Sequence, residues 1–286
     1  MTSKTRRKTM KHAKLFTISS PAKPERLQAG VTAANEAGFD LSSVPDAIFS
    51  SGYLAGDDQT RGQSLRTALT DPSADFAWAI RGGYGAARTP LPAPEAFKNG
   101  LPLLGFSDLT FLLAVAHRAG GRAIHGPVLT SFADADEPSR RALIDALMGK
   151  ERVWDLKPSE SSVEGTGTIV GGNLTVLATL LGTEQCPRFE NRYVVLEDVG
   201  EAHYRLDRAF NHLMRASDLA HARGILVGHF QDCPPGADEL VAALCRTQKI
   251  PCWTQAPVGH GNENHAFIWG EQASMDQEGR LLLHGS

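Results

Sequence analysis

Ser107, Glu197 and His260 are three side chains of this sequence whose types could together run hydrolysis. A serine nucleophile needs a base to take its proton, and the base needs a carboxylate to orient it. Ser107 lies in Leu101-Pro-Leu-Leu-Gly-Phe-Ser107-Asp108-Leu-Thr110, a short apolar run that passes into Phe111-Leu-Leu-Ala-Val-Ala. The first half reads as a strand. The second carries Leu109, Leu112, Leu113 and Ala116 at helical spacing and stops at Gly120. A sharp strand-to-helix turn lifts the hydroxyl out of the sheet and aims the free N–H groups of the first helical turn at it. The Asp108 N–H, joined by the Gly83 N–H of Arg81-Gly-Gly-Tyr-Gly85, would then form an oxyanion hole.

Each of these residues also has a plainer reading. Ser107 suits a helix N-cap, and the G-x-S-x-G pattern fails at Leu109. The glycine turn follows a strand but is neither G-x-G-x-x-G nor a Walker sequence, so it does not indicate a nucleotide site. Glu197 could be a surface acid and His260 a loop histidine. Asp198, Glu201, His125 and His265 would fill the same roles by type alone.

The elements that must position these groups alternate. Strands are predicted over Lys14–Ser19, near Asp46–Phe49, over Phe76–Ile80, into Ser107 and over Arg122–Pro127. Between the earlier ones lie a helix from Pro24 to Gly38 and one through Leu65 and Leu69. Such alternation implies right-handed β-α-β units and a parallel sheet, whose ligands bind at the carboxyl ends of the strands. Arg81–Gly85, Ser107 and His125-Gly-Pro127 fall at those ends. A polar, acidic stretch with a short helix at Arg141–Leu147 reads as a linker over 136–164. A second α/β unit follows. It has a strand at Thr166–Gly172, a helix capped by Asn173, a buried strand at Arg192–Leu196 and an amphipathic helix with Leu206, Phe210, Leu213 and Met214 on one face. A strand at Gly224–Gly228, a helix through Leu240 and Leu244, and a hairpin near Gln277–Gly279 complete it. Glu197 emerges at a strand end, with Asp198 pointing to the opposite side and Glu201 suited to a helix start.

The totals narrow the classes. The 286 residues suffice for one large domain or two ordinary ones, and 42% hydrophobic with 21% charged content reads as a soluble globular chain. A net charge of −3 gives no general case for nucleic acid or membrane as partner. Cys186, Cys233, Cys245 and Cys252 form no C-x-x-C pair and no zinc spacing, so no metal is indicated. The longest apolar run, Phe111–Ala116, is far short of the ~20 residues that span a bilayer. Lys4, Arg6, Arg7, Lys8, Lys11, Lys14 and Lys23 precede the first acid, Glu25, with no apolar segment after them. That reads as a solvated tail and not a secretory signal, and the expected location is cytoplasmic.

Taken together, Ser19-Ser-Pro21, Gly52-Tyr-Leu-Ala-Gly-Asp57, Arg81-Gly-Gly-Tyr-Gly85, Gly105-Phe-Ser-Asp-Leu-Thr110, His125-Gly-Pro127, Gly171-Gly-Asn-Leu174, Leu196-Glu-Asp-Val-Gly-Glu201, Tyr204-Arg-Leu-Asp207 and Val258-Gly-His-Gly261 resemble the LD-carboxypeptidases. The resemblance runs in order from about Leu15 to Gly270. It implies an N-terminal nucleophile domain over 1–135 and a smaller C-terminal α/β domain over 165–286 that supplies the acid and the histidine. Ser107 would be the nucleophile, Glu197 the orienting acid and His260 the base, with the Asp108 and Gly83 amides as oxyanion hole. It further implies a serine peptidase that releases the terminal D-alanine of murein tetrapeptides during cell-wall recycling, works without metal or organic cofactor, and forms a homodimer. Arg81, Arg205 and Arg208 are candidates to bind the substrate carboxylate, and Tyr84 is a further contact candidate. Where many members carry a proline soon after the histidine, this chain reads Ala266-Phe-Ile-Trp269, and Trp269 is expected to change packing beside the site.

Two other readings compete. Immunity-type relatives share the triad and cleave an aminoacyl bond beside an adenylate, usually with an aromatic on a longer loop. A non-catalytic two-domain binding protein would use Ser107 only to hydrogen-bond its ligand, and would have no need of a base.

Overall fold

The computed structural model describes residues 12–42, 44, 52–159 and 163–285. The strand expected at Asp46–Phe49 and the basic segment before residue 12 lie outside them. In chain order the first half runs β1 (His12–Phe16), α1 (Pro24–Glu36), β2 (Asp40–Leu41), α2 (Asp58–Leu69), β3 (Phe76–Ala79), α3 (Pro94–Lys98), β4 (Leu103–Gly105), α4 (Thr110–Arg118), β5 (Ala123–His125), α5 (Leu129–Phe132) and α6 (Glu137–Leu147). The second half runs β6 (Arg152–Asp155), β7 (Lys157–Pro158), β8 (Gly165–Asn173), α7 (Leu174–Thr179), β9 (Arg192–Val199), α8 (His203–Ala216), β10 (Gly224–Gln231), α9 (Ala237–Thr247), β11 (Cys252–Thr254), β12 (Phe267–Ile268), β13 (Gln272–Met275) and β14 (Arg280–Leu283).

The protein is α/β, built on two separate sheets. The first has the order β12-β5-β4-β3-β1-β2, with β1 to β5 all parallel. The chain order reverses between β1 and β3, so the crevice for a ligand lies at the carboxyl ends of those strands. β3 is buried along its whole length, and Phe39, Phe76, Trp78 and Phe132 make edge-to-face contacts behind it. The second sheet has the order β6-β14-β13-β8-β9-β10-β11-β7, with a parallel centre from β8 to β11 flanked by antiparallel strands. α8 turns Leu206, Phe210 and Leu213 into the core, as the spacing predicts. Met214 packs there from a partly buried position.

Within the stretch read from its polarity as a linker, α6, β6 and β7 are folded into the two halves. α6 buries Leu143, Ala146 and Leu147 against the apolar cluster of the first sheet. β6 and β7 form the two edges of the second sheet, pairing with β14 and β11. Arg152 Nη2 donates to Glu271 Oε1 at 2.6 Å, and both side chains are buried. Polar sequence here reflects edge strands that leave residues exposed, together with a buried ion pair.

The halves meet through more than a connector. β12, far along the chain, returns to pair antiparallel with β5 of the first sheet. One apolar cluster also contains Phe16 and Leu112 from the first half together with Val194 and Leu226 from the second. Among the described residues no helix is long and apolar enough to cross a membrane.

Candidate active site

β4 delivers the chain to Phe106, and Ser107 then adopts φ = 65° before a 3₁₀ turn runs into α4. A left-handed backbone at a residue with a side chain is strained, and the surrounding structure must hold it. Part of that hold comes from Gly82. A Cβ built there would lie 3.0 Å from the Ser107 Cβ, so a side chain at this position would press Ser107 or the glycine turn out of place by a few tenths of an ångström.

The turn is held from below by Asp108. Its carboxylate accepts from Ser19 Oγ at 2.6 Å and from the Ala86 N–H at 2.9 Å, joining the ends of β1 and β4 to the glycine turn. Burial is the largest influence on this carboxyl and raises its pKa against those two hydrogen bonds. The sequence signals only the Asp108 amide. The side chain's anchoring role had no signal beyond its place after Ser107. The Ser20 N–H also donates to the Gly82 carbonyl at 3.2 Å, and the Tyr84 N–H to Ser20 Oγ at 3.2 Å.

His260 reaches Ser107 from the second half. Its Nε2 lies 2.9 Å from Ser107 Oγ, and its Nδ1 lies 2.7 Å from Glu197 Oε2. The loop before His260 follows the end of β10: the Ala256 N–H donates to the Val227 carbonyl and the His229 N–H to the Val258 carbonyl. The β9–β10 register shifts between Val227 and Phe230, which leaves Gly228 and His229 opposite Glu197. Such a bulge re-aims local side chains. Glu197 sits inside β9, two residues short of its end, and is fully buried.

Asp198 points the other way, as alternation along a strand requires. It accepts from Asn173 Nδ2 at 2.8 Å, from the Thr175 N–H at 2.9 Å and from Thr175 Oγ1 at 2.7 Å. Asn173 Oδ1 in turn caps α7 by accepting from the Val176 N–H. Glu201 lies away from His260, beside Arg205 Nη1 at 3.5 Å.

The imidazole of His260 is mostly buried, and the Phe106 ring stands 4.8 Å from it, centroid to centroid. Burial is the strongest single influence on its pKa and pushes it down. The Glu197 charge and hydrogen bond, with Asp198 and Asp232 beyond, outweigh burial and leave it raised. His125 behaves oppositely. It stacks on Phe267 and is fully buried, which pushes its pKa down to about 3 despite a contact with Asn264 Oδ1. It is therefore a neutral packing residue beside Phe106. His265 is also depressed by burial.

The candidates for substrate contact separate. Arg81 lies at the carboxyl end of β3 and donates from Nη1 to the Pro21 carbonyl at 2.6 Å. Tyr84 is exposed and its ring meets that of Tyr53 at 5.9 Å. Arg205 and Arg208 lie over the exposed Tyr204 ring. Trp269 is not beside the site. Its N–H donates to the Ala123 carbonyl at the far end of β5, and its ring packs on His117, which faces Arg192 at the start of β9. Antiparallel pairing of β12 carries it there.

Comparison with known proteins agrees with this architecture. Residues 14–126 match the model of the LD-carboxypeptidase N-terminal domain, and residues 166–275 that of the LD-carboxypeptidase C-terminal domain. A murein tetrapeptide carboxypeptidase of Pseudomonas aeruginosa is 32% identical over 249 residues, covering 78% of this chain and 80% of that protein. A Synechocystis protein provisionally named a carboxypeptidase is 34% identical over 282 residues, covering 93% of each. Among solved structures, muramoyltetrapeptide carboxypeptidase from Oxalobacter formigenes superposes with a TM-score of 0.85 at 23% identity, covering 95% of this chain and 97% of that one. Microcin C7 self-immunity protein MccF, solved with aspartyl sulfamoyl adenosine, superposes with a TM-score of 0.85 at 20% identity, covering 98% and 97%. At those identities the two structures bear on fold alone.

Proposed function

Because this chain belongs to the LD-carboxypeptidase family, we propose that it is a serine carboxypeptidase that removes the terminal D-alanine of murein tetrapeptides. The observation that carries the reading is His260, whose two ring nitrogens face Ser107 Oγ at 2.9 Å and Glu197 Oε2 at 2.7 Å. A binding protein has no need of that relay.

In this reading His260 Nε2 takes the Ser107 proton as Oγ attacks the carbonyl of the L-centre that precedes D-alanine. Glu197 fixes the tautomer with Nδ1–H toward itself and stabilises the imidazolium. The Asp108 and Gly83 N–H groups receive the oxyanion. His260 then returns the proton to the departing amine, and water, activated by the same imidazole, hydrolyses the acyl-serine. The N-terminal half would supply the nucleophile and the C-terminal half the acid–base pair, in a cytoplasmic homodimer serving cell-wall recycling.

The test is direct. Purified protein is incubated with murein tetrapeptide, with its UDP-muramoyl form and with an aminoacyl sulfamoyl adenosine, and free D-alanine and free nucleoside sulfamate are measured. D-alanine release that disappears in Ser107→Ala is the expected result. Turnover of the adenosine conjugate alone would replace this reading with the immunity-type one. No turnover of any substrate would leave the binding-protein reading.

A further inference from the structure

The loop that carries His260 is closed at its base, where the His265 N–H donates to the Pro257 carbonyl at 2.7 Å. Before His260 it is tied to β10, through the His229 N–H and the Val258 carbonyl at 2.8 Å. After His260 its backbone turns to the first half. The Asp136 N–H donates to the Asn262 carbonyl at 3.0 Å, and the Asn264 N–H donates to Ser139 Oγ at 2.8 Å. Both partners belong to the start of α6, which Asp136 caps by accepting from the Ser139 N–H at 2.8 Å.

From Gly261 to His265, Asn264 alone is buried. Its Oδ1 lies 3.3 Å from Nε2 of His125, at the end of β5. His125 is neutral, so one of its ring nitrogens carries a proton, and an amide oxygen facing Nε2 places that proton there. A buried amide is stable only when partnered, whereas a leucine branches the same way and needs no partner. The amide therefore contributes direction, which apolar packing alone does not.

These contacts close a circuit between Ser107 and His260. Gly105 of β4 stands opposite His125 of β5, and the Gly126 N–H donates to the Gly105 carbonyl at 3.1 Å. The chain runs directly from Gly105 through Phe106 to Ser107, and the Phe106 ring meets both His125 and His260. Asn264 thus refers the His260 loop to the same strand pair from which Ser107 projects. Glu263 also reaches back from the loop to His229 at 2.7 Å, but both side chains are well exposed, and an ion pair in water holds little.

We propose that Asn264 is a positioning residue for His260: with Ser139 it latches the loop of the base to β5 and α6, and so sets the reach of Nε2 to Ser107 Oγ. The inference rests on the reading of Ser107, Glu197 and His260 as a hydrolase triad, and adds what holds the base against the opposite half. Glu197 belongs to the second half, so releasing the latch should let Glu197 and His260 move together, away from Ser107. An offset of about 1 Å between reacting groups is worth about 100-fold in rate.

The experiment measures kcat for D-alanine release from murein tetrapeptide and, separately, the rate at which a fluorophosphonate labels Ser107. In the labelling Oγ displaces fluoride from phosphorus while His260 takes the proton. Both are read well below the melting temperature of each variant. Asn264→Leu should lower both about 10- to 100-fold with KM little changed. The pH limb of the remaining activity should stay where wild type has it, because Glu197 still faces His260. Asn264→Asp keeps an acceptor toward His125 and should recover most of the rate. Ser139→Ala strips the Asn264 N–H of its partner and should slow both reactions in the same way; it carries the test should Asn264→Leu fail to fold. Melting temperatures that fall while both rates hold at the wild-type level overturn the inference and leave Asn264 a packing residue. A pH limb that moves in Asn264→Leu overturns it too, as does an Asn264→Asp variant no faster than Asn264→Leu. A wild type that is not labelled at Ser107 refutes the triad, and this latch with it. A wild type labelled there that releases no D-alanine refutes the carboxypeptidase reading alone, and the labelling rates then decide the latch.

Discussion

His260 Nε2 lies 2.9 Å from Ser107 Oγ although 153 positions separate the two residues along the chain. Ser107 hangs from the carboxyl end of β4 in the first sheet, while the loop of His260 is zipped to β10 in the second. Docking of the halves is therefore what brings the proposed nucleophile and its proposed base together.

Ser107→Ala is expected to lower kcat by roughly 10⁴–10⁶-fold while thermal unfolding stays close to wild type. Removing Oγ deletes one hydrogen bond, to His260, and leaves the Asp108 anchors intact. Retention of D-alanine release above a hundredth of wild type would show that Ser107 is not the nucleophile.

Glu197, the proposed acid, can be separated from its neighbours by three variants measured side by side. Glu197→Gln should cost about 10⁴-fold in kcat, through a misoriented imidazole and an unsupported imidazolium. Asp198→Asn should act chiefly on stability, by about 1–3 kcal/mol, because an amide cannot accept from both Asn173 and Thr175 as the carboxylate does. Glu201→Gln, beside an exposed arginine, should change little. If the large kcat loss appears at Asp198 or Glu201, the acid is wrongly assigned.

How far the sequence foretold this arrangement differs by element. Strand and helix on either side of Ser107 were legible because each is apolar at its own period, and neither depends on a distant partner for its pattern. The opposite facing of Glu197 and Asp198 was legible for the same reason, since alternation is a local property of an extended chain. β6, β7, β11 and β12 were not. Each is two to four residues long and is specified by pairing with residues remote in sequence, as Phe267 with His125. The recruitment of α6, β6 and β7 into the two halves was hidden likewise, because a buried Arg152–Glu271 pair reads as ordinary surface charge until both partners are placed.

The pH dependence follows from the raised pKa of His260. The base must be neutral to accept a proton, so kcat/KM should rise with pH through an apparent pKa above the ordinary histidine value near 6.5. Glu197→Gln removes the principal raising influence and should move that limb to lower pH in whatever activity survives. Stability runs the opposite way. Protonated His260 is favoured in the folded state, so its stabilising contribution is complete below the unfolded value near 6.5 and is lost as pH rises through the folded value. A kcat/KM limb at or below 6.5 in wild type would contradict the electrostatics of the Glu197–His260 pair.

Gly172 and Thr110 form a contact that sets the halves against each other. Gly172, near the end of β8, has φ = 153°, and a Cβ built on it would stand 2.7 Å from Thr110 Oγ1. The next residue, Asn173, donates its N–H to that same Oγ1 at 3.1 Å. Thr110 begins α4, three residues after Ser107, so this contact fixes the Ser107 turn relative to β8 and, through Asn173 and Glu197 paired across β8 and β9, relative to Glu197. Gly172→Ala should impose an unfavourable backbone conformation and a clash, lowering stability by about 1–3 kcal/mol. It should also lower kcat, because α4 must retreat while Glu197 and His260 remain together in the second half. Thr110→Ala alone loses the hydrogen bond but opens space. Combined with Gly172→Ala, it should cost less than the sum of the two single changes, since the clash is shared. Melting temperature and kcat for the two single variants and the double variant test this, and strict additivity would show that Gly172 and Thr110 do not act on one contact.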